Sequence, residues 1–115
     1  MRIVDRKTFL SLPPNTVYSI SHWTANTCST SITDLLIKGD TVANSDYYEQ
    51  AIPDFDFEDI DEKFEAVERA IQEGKSIRTD FLVETRNSMF DEEQMYAVWE
   101  REDIVGLIER LKECL

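Results

Sequence analysis

The residues that could support catalysis are few. The chain has one histidine, His22, and two cysteines, Cys28 and Cys114. Imidazole metal sites and Cys–His or Ser–His–Asp catalysis would all depend on that histidine. His22 and Cys28 could meet across a turn, but we expect a surface or half-buried structural histidine. Because the cysteines lie far apart with no metal-ligand spacing, we also expect free thiols, no disulfide and no catalytic residue.

Carboxylates are the abundant reactive groups, with 24 Asp and Glu residues among 115. A calcium loop of the EF-hand type needs oxygen ligands at alternate positions, glycine at the sixth and Glu at the twelfth. Counted from Asp54, the third and fifth positions hold Asp56 and Glu58, and the twelfth holds Glu65. Asp59 stands where the glycine is needed. We therefore predict no metal site, and no motif in the sequence indicates a cofactor.

The charge pattern indicates binding more than chemistry. The stretch between Lys38 and Lys63 contains no Lys or Arg and supplies −9 of the formal net charge of −12. Such a field repels nucleic acid and anionic membrane and attracts basic surfaces. We expect a partner protein with a basic surface, no direct contact with nucleic acid and no membrane association. The alternative is that the acids form only a solvated face without a partner. The nine acids of this stretch are Asp40, Asp46, Glu49, Asp54, Asp56, Glu58, Asp59, Asp61 and Glu62.

Aromatic residues near these acids could anchor a partner, because Trp and Tyr dominate interface energies. Tyr47 and Tyr48 lie inside the acidic stretch, whereas Tyr96 and Trp99 lie on a later uncharged segment. For the later pair, the alternative is a core strand that runs into the last helix. The predicted partner-binding set is Asp46, Glu49, Asp54, Asp56, Glu58, Asp59, Asp61, Glu62, Tyr47, Tyr48, Tyr96 and Trp99.

Length and composition predict one domain covering residues 1–115, since 42% of the residues are hydrophobic and the chain can bury an ordinary core. No apolar run approaches the roughly 18 residues that span a bilayer. The first residues also lack the apolar run of a signal peptide, so we expect a cytoplasmic location. The sequence leaves the oligomeric state open.

Periodicity predicts the elements that position these residues. A short helix at residues 7–12 follows the capping residue Asp5. One main helix begins between Phe57 and Asp61 and ends at Gly74, and a second covers residues 102–115. Each carries an apolar stripe at helical spacing, as an amphipathic helix does.

Strand signals appear at residues 16–22, 33–38 and 41–48, with Gly39 and Asp40 as a hairpin turn in a three-stranded meander. Residues 26–31 are small and polar and predict a loop or the exposed start of the second strand. Residues 77–85 predict an exposed or edge strand, and residues 95–99 a compact one. The sequence therefore predicts an α+β fold, with an antiparallel sheet of four or five strands and two main helices on one face.

Four segments, at residues 1–13, 38–41, 90–94 and 96–101, resemble small proteins encoded in bacteriophage and prophage genomes. The resemblance spans most of the chain, although residues 21–34 depart from it. It implies a genomic setting and the cytoplasm of a bacterial host, and it carries no assigned activity or site residues.

Small acidic phage proteins often inhibit host machinery, including anti-CRISPR and other anti-defence proteins. The leading hypothesis is therefore a non-enzymatic inhibitor, in which an acidic surface mimics nucleic acid and engages a basic nucleic-acid-binding site of a host protein. One alternative is an immunity-type or adaptor protein with a target that does not bind nucleic acid. Another is a small enzyme or ligand-binding domain that combines carboxylates with His22 or Cys28.

Overall fold

The computed structural model describes residues 1–23 and 29–115, which form one antiparallel sheet of six strands together with three helices. The α+β prediction is confirmed, with six strands in place of four or five. The strands are β1 (Arg2–Val4), β2 (Thr16–Ser21), β3 (Ile32–Val42), β4 (Asp46–Ala51), β5 (Thr85–Arg86) and β6 (Met95–Val98). The helices are α1 (Arg6–Leu10), α2 (Ile60–Glu73) and α3 (Arg101–Lys112). The spatial order of the sheet is β1-β6-β2-β3-β4-β5.

The turn between β3 and β4 lies later in the chain than the sequence predicts. Ala43 and Asn44 occupy it with φ of 51° and 56°, and two successive left-handed residues are typical of a tight hairpin. The predicted turn at Gly39 was wrong, because Gly39 lies inside β3 at a point where two other side chains come close to its backbone. A Cβ on Gly39 would lie 2.9 Å from Cβ of Tyr48 and 2.7 Å from Oε1 of Glu84.

The two edges of the sheet are short. β1 was not predicted from the sequence, and it pairs with β6 through the register Ile3 to Ala97. The predicted strand at residues 77–85 was wrong for most of its length, because only its last residue, Thr85, belongs to a strand, β5, which pairs with β4. Before β5, an isolated bridge joins Asp54 to Asp80. Short, charged edges suit a sheet that must not pair with another chain.

Phe9 forms the centre of an aromatic core between α1 and the sheet. Its side chain is completely buried, and its ring stacks on that of Tyr96 with centroids 3.9 Å apart. The rings of Tyr18 and Tyr47 meet Phe9 edge-on at 4.6 and 5.0 Å, an arrangement that adds to plain area burial. The fully buried core is therefore concentrated around the short helix α1.

The longer helices contribute little to that core. Neither α2 nor α3 contains a fully buried residue. Asp59 caps α2 by accepting a 2.7 Å hydrogen bond from the backbone N–H of Glu62, and Gly74 ends it with φ of 67°. The N-terminal ammonium of Met1 lies 2.7 Å from Asp103 in the first turn of α3. Local capping therefore defines the ends of these helices more clearly than packing does.

Candidate partner-binding surface

The acidic stretch divides into acids that serve the fold and acids that face solvent. Asp46 belongs to the first group, because its side chain is completely buried. It accepts hydrogen bonds from Nε of Arg86 at 2.8 Å and from the backbone N–H of Ser88 at 3.0 Å. Burial alone would raise the pKa of Asp46, but hydrogen bonds from the Tyr47 backbone and from Arg86 outweigh it and lower the pKa.

Glu49 and Asp54 are also engaged within the fold. Glu49 is half-buried on β4 and accepts a 2.8 Å hydrogen bond from the hydroxyl of Tyr18. Asp54 pairs with Nζ of Lys63 at 2.7 Å, and this hydrogen bond lowers the pKa of Asp54. Both bases that pair with the stretch, Lys63 and Arg86, lie outside it in sequence, which is why the sequence showed no compensating charge.

Two of the four candidate aromatic anchors lie in the core. Tyr47 and Tyr96 are 1% and 0% exposed, and their hydroxyls lie 3.2 Å apart. Arg6 donates a 2.9 Å hydrogen bond to the Tyr96 hydroxyl. Burial raises the pKa of both phenols, so they act as neutral hydrogen-bonding groups. Like Asp46, these side chains present no surface to a partner in this conformation. Tyr96 therefore lies on a core strand, as the alternative interpretation of its segment predicted.

Tyr48 and Trp99 are half-buried. The guanidinium of Arg86 lies over the Tyr48 ring at 5.7 Å, and the indole of Trp99 donates a 2.9 Å hydrogen bond to Ser19. Each ring therefore already has an intramolecular polar partner. Half-burial leaves part of each ring exposed, so both residues stay predicted anchors.

The remaining predicted acids form a continuous exposed group that leads into α2. We call it the acidic segment, and it lies at residues 56–62. In the part of the chain that the structure describes, none of these five side chains forms an ion pair. They also favour α2 itself, because negative charge is stabilising at a helix N-terminus. The members are Asp56, Glu58, Asp59, Asp61 and Glu62, all exposed.

Beside the acidic segment, α2 exposes an apolar stripe that sequence reasoning did not single out as a site. Ile60, Phe64 and Ile71 are 79%, 71% and 78% exposed. These large side chains would normally pack against the sheet, but the half-buried side of α2 consists of Lys63, Ala66, Val67 and Ala70. The spacing was visible in the sequence, whereas the direction in which the stripe points was not.

Within the described residues, the enzyme alternative depends on His22 and the carboxylates. Nε2 of His22 lies 2.7 Å from the Thr33 hydroxyl at an exposed position, and Cys28 and part of the predicted loop at 26–31 lie outside the described residues. Among residues 1–23 and 29–115, no three His, Cys, Asp or Glu side chains are grouped to hold a metal ion. In the same residues, no helix is both long and apolar enough to cross a bilayer.

A groove of about 630 Å³ lies between α2 and residues 75–80. Two acids, Asp56 and Asp80, line it together with the bases Arg69, Lys75 and Arg78. The enzyme alternative combines carboxylates with His22 or Cys28, and His22 does not line this groove. The mixed lining therefore does not single out an acid–base pair.

Comparisons of the chain with protein-family models, with curated proteins and with solved structures found no match.

Proposed function

We propose that this protein is a non-enzymatic inhibitor that binds a bacterial host protein, and that its acidic segment engages a basic nucleic-acid-binding surface of that target. The observation that carries the proposal is the exposure of five acids within residues 56–62, with no ion pair to them in the described part of the chain. Lys63, the nearest base in sequence, is engaged by Asp54. The field of the segment is therefore directed to solvent.

Electrostatic complementarity supports a protein target with a basic site. Clustered negative charge accelerates encounter with a positive surface more than it raises final affinity. It also repels nucleic acid, which favours a protein that occupies a nucleic-acid site over one that binds the nucleic acid itself. The phage setting, with action in the host cytoplasm, follows from the resemblance of the four sequence segments and gives such a protein a use in blocking host defence.

The first experiment captures the target from lysate of the bacterial host and compares two triple variants. Asp56→Asn/Glu58→Gln/Asp61→Asn removes three charges from the acidic segment. Glu92→Gln/Glu93→Gln/Glu109→Gln removes three charges from exposed positions elsewhere. We expect the first variant to lose the target and the matched control to retain it. Equal retention by both variants would contradict a role for the acidic segment.

The second experiment measures binding to the captured target by surface plasmon resonance at several salt concentrations. The Debye length shrinks from about 10 Å at 0.1 M to about 3 Å at 1 M salt, so association should slow as salt rises while dissociation changes less. Oligonucleotide bound to the target should compete with this protein. If the oligonucleotide and this protein bind the target together at full affinity, the adaptor hypothesis replaces the hypothesis of an inhibitor that occupies a nucleic-acid site.

A further inference from the structure

Two parallel rows of side chains run along the solvent side of α2. Successive side chains of the apolar row are four, three and four residues apart in sequence. Each side chain of the acidic row comes one residue after one of the first three apolar side chains. An offset of one residue turns the side chain by about 100° around a helix axis, so the acids border one side of the apolar row. The apolar row is Ile60, Phe64, Val67 and Ile71, and the acidic row is Asp61, Glu65 and Glu68.

Most members of both rows lie away from the side of α2 that faces the rest of the protein. The side of the helix that is half-buried carries Lys63, Ala66 and Ala70, together with the partly covered Val67. Glu65 and Glu68 are exposed, and neither forms an ion pair among the described residues. Apart from the partly covered Val67, the apolar row and its acidic border are therefore both available to another molecule.

We propose that this double row is the docking surface for a basic amphipathic helix of the partner protein. Apolar side chains of that helix would cover the stripe around Phe64, and its Lys or Arg side chains would lie against Glu65 and Glu68. The stripe extends over eleven residue steps, or about 16 Å of helix, which matches three turns of a helix packed alongside. The inference rests on the proposed function and adds the chemistry of the partner.

Charge favours this occupant over a second copy of the chain. When two copies of one helix pack antiparallel about a two-fold axis, each flank faces the same flank of the other copy. The acidic row would then face itself, at Asp61, Glu65 and Glu68, in a chain of net charge −12. A basic helix meets the same row with opposite charge, so the apolar and electrostatic contributions act together.

The test uses synthetic fluorescein-labelled peptides of fourteen residues and fluorescence anisotropy. One peptide places Leu on one helical face and Lys on the others, and a second contains the same residues in an order without an apolar face. We expect the amphipathic peptide to bind at least about tenfold more tightly, since one well-buried apolar anchor is worth about that factor. A third peptide with Glu in place of Lys should not bind measurably.

Variants locate the binding on α2. Phe64→Ser should weaken the amphipathic peptide about tenfold, while Leu111→Ser on α3, at a comparably exposed apolar position, should leave it unchanged. Glu65→Gln/Glu68→Gln should weaken it more than the matched pair Glu109→Gln/Glu113→Gln. Circular dichroism checks that each variant folds, and Ile71→Ser replaces Phe64→Ser if the latter loses helix.

Three results would overturn the inference. If the two Lys peptides bound with equal affinity, charge would be the only determinant of binding. If the α3 variants lost as much peptide affinity as the α2 variants, the binding site would not be on α2. A dimer in sedimentation velocity that Phe64→Ser converts to monomer would identify a second copy as the occupant. Salt-sensitive target binding with oligonucleotide competition would still support the proposed function in each case, so the two hypotheses fail separately.

Discussion

The sheet and α2 place the same residue types in opposite environments. Phe9 is completely buried against the sheet, whereas Phe64 on α2 is 71% exposed. Asp46 is buried and paired with Arg86, whereas Asp61 faces solvent. Neighbours, and not residue type, therefore decide whether an aromatic or an acid stabilises this fold or remains available for a partner. Substitutions at matched positions in the two regions should therefore have opposite consequences for stability and binding.

The largest difference is expected between the two phenylalanines. Phe9→Ala removes the ring at the centre of the aromatic core and should lower the free energy of unfolding by about 3–5 kcal/mol, as truncation of buried Phe does. Phe64→Ala should change it by only about 0.5 kcal/mol, as exposed substitutions do. Urea denaturation of both variants measures the difference. Similar losses would show that α2 packs on the protein more closely than its exposure indicates.

A smaller difference in the free energy of unfolding is expected between variants of a buried and of an exposed aspartate. Asp46→Ala removes the acceptor of hydrogen bonds from the Ser88 N–H and the Arg86 guanidinium. Because each such bond typically contributes about 0.5–1.5 kcal/mol, the loss of both should cost about 1–3 kcal/mol. Asp56→Ala, at an exposed position, should stay within about 0.5 kcal/mol of the wild type. Thermal unfolding at neutral pH compares them. Equal melting temperatures would mean that the pair with Arg86 adds nothing to stability.

The sequence predicted the class of fold because its strongest local signals agree with the structure. The cap at Asp5, the helix start between Phe57 and Asp61 and the stop at Gly74 match the helix ends closely. The turn predicted at Gly39 was wrong because glycine occurs both in turns and where two backbone segments approach closely. Only the positions of Tyr48 and Glu84 in the structure distinguish these two uses.

The candidate surface was only partly predictable. Charge density located the stretch between Lys38 and Lys63, but Asp46 is paired across the sheet and Asp54 is paired with the adjoining helix, so neither belongs to the exposed acidic segment. Periodicity cannot tell which neighbour covers an amphipathic helix, so the exposure of Phe64 and Ile71 required the tertiary structure. Conversely, Tyr96 was predicted both as a possible anchor and as a core residue, and burial selects the core.

Acid should weaken the fold through its paired carboxylates. The pKa values of Asp46 and Asp54 lie below the ordinary value of 3.8 in the folded protein, so the unfolded chain binds protons first as pH falls. Their stabilisation is therefore present above that value and is lost as the pH falls from there through the lowered pKa values of the folded protein. Lys63→Met removes the partner of Asp54, so the free energy of unfolding of this variant should fall less steeply as the pH is lowered. Urea denaturation at several pH values measures this slope. Lys112→Met, on exposed α3, should leave the slope unchanged.

The smallest effect separates stability from binding within the acidic segment. Asp59 accepts the capping hydrogen bond of α2, so Asp59→Ala should cost about 1 kcal/mol. Asp61→Ala removes the same charge without the cap and should cost about 0.3–1 kcal/mol through the helix dipole. If the segment acts by its charge, both variants should slow association with the captured target equally at low salt. Melting curves and association rates test this together, and slower association of Asp59→Ala alone would assign the effect to α2 capping instead of charge.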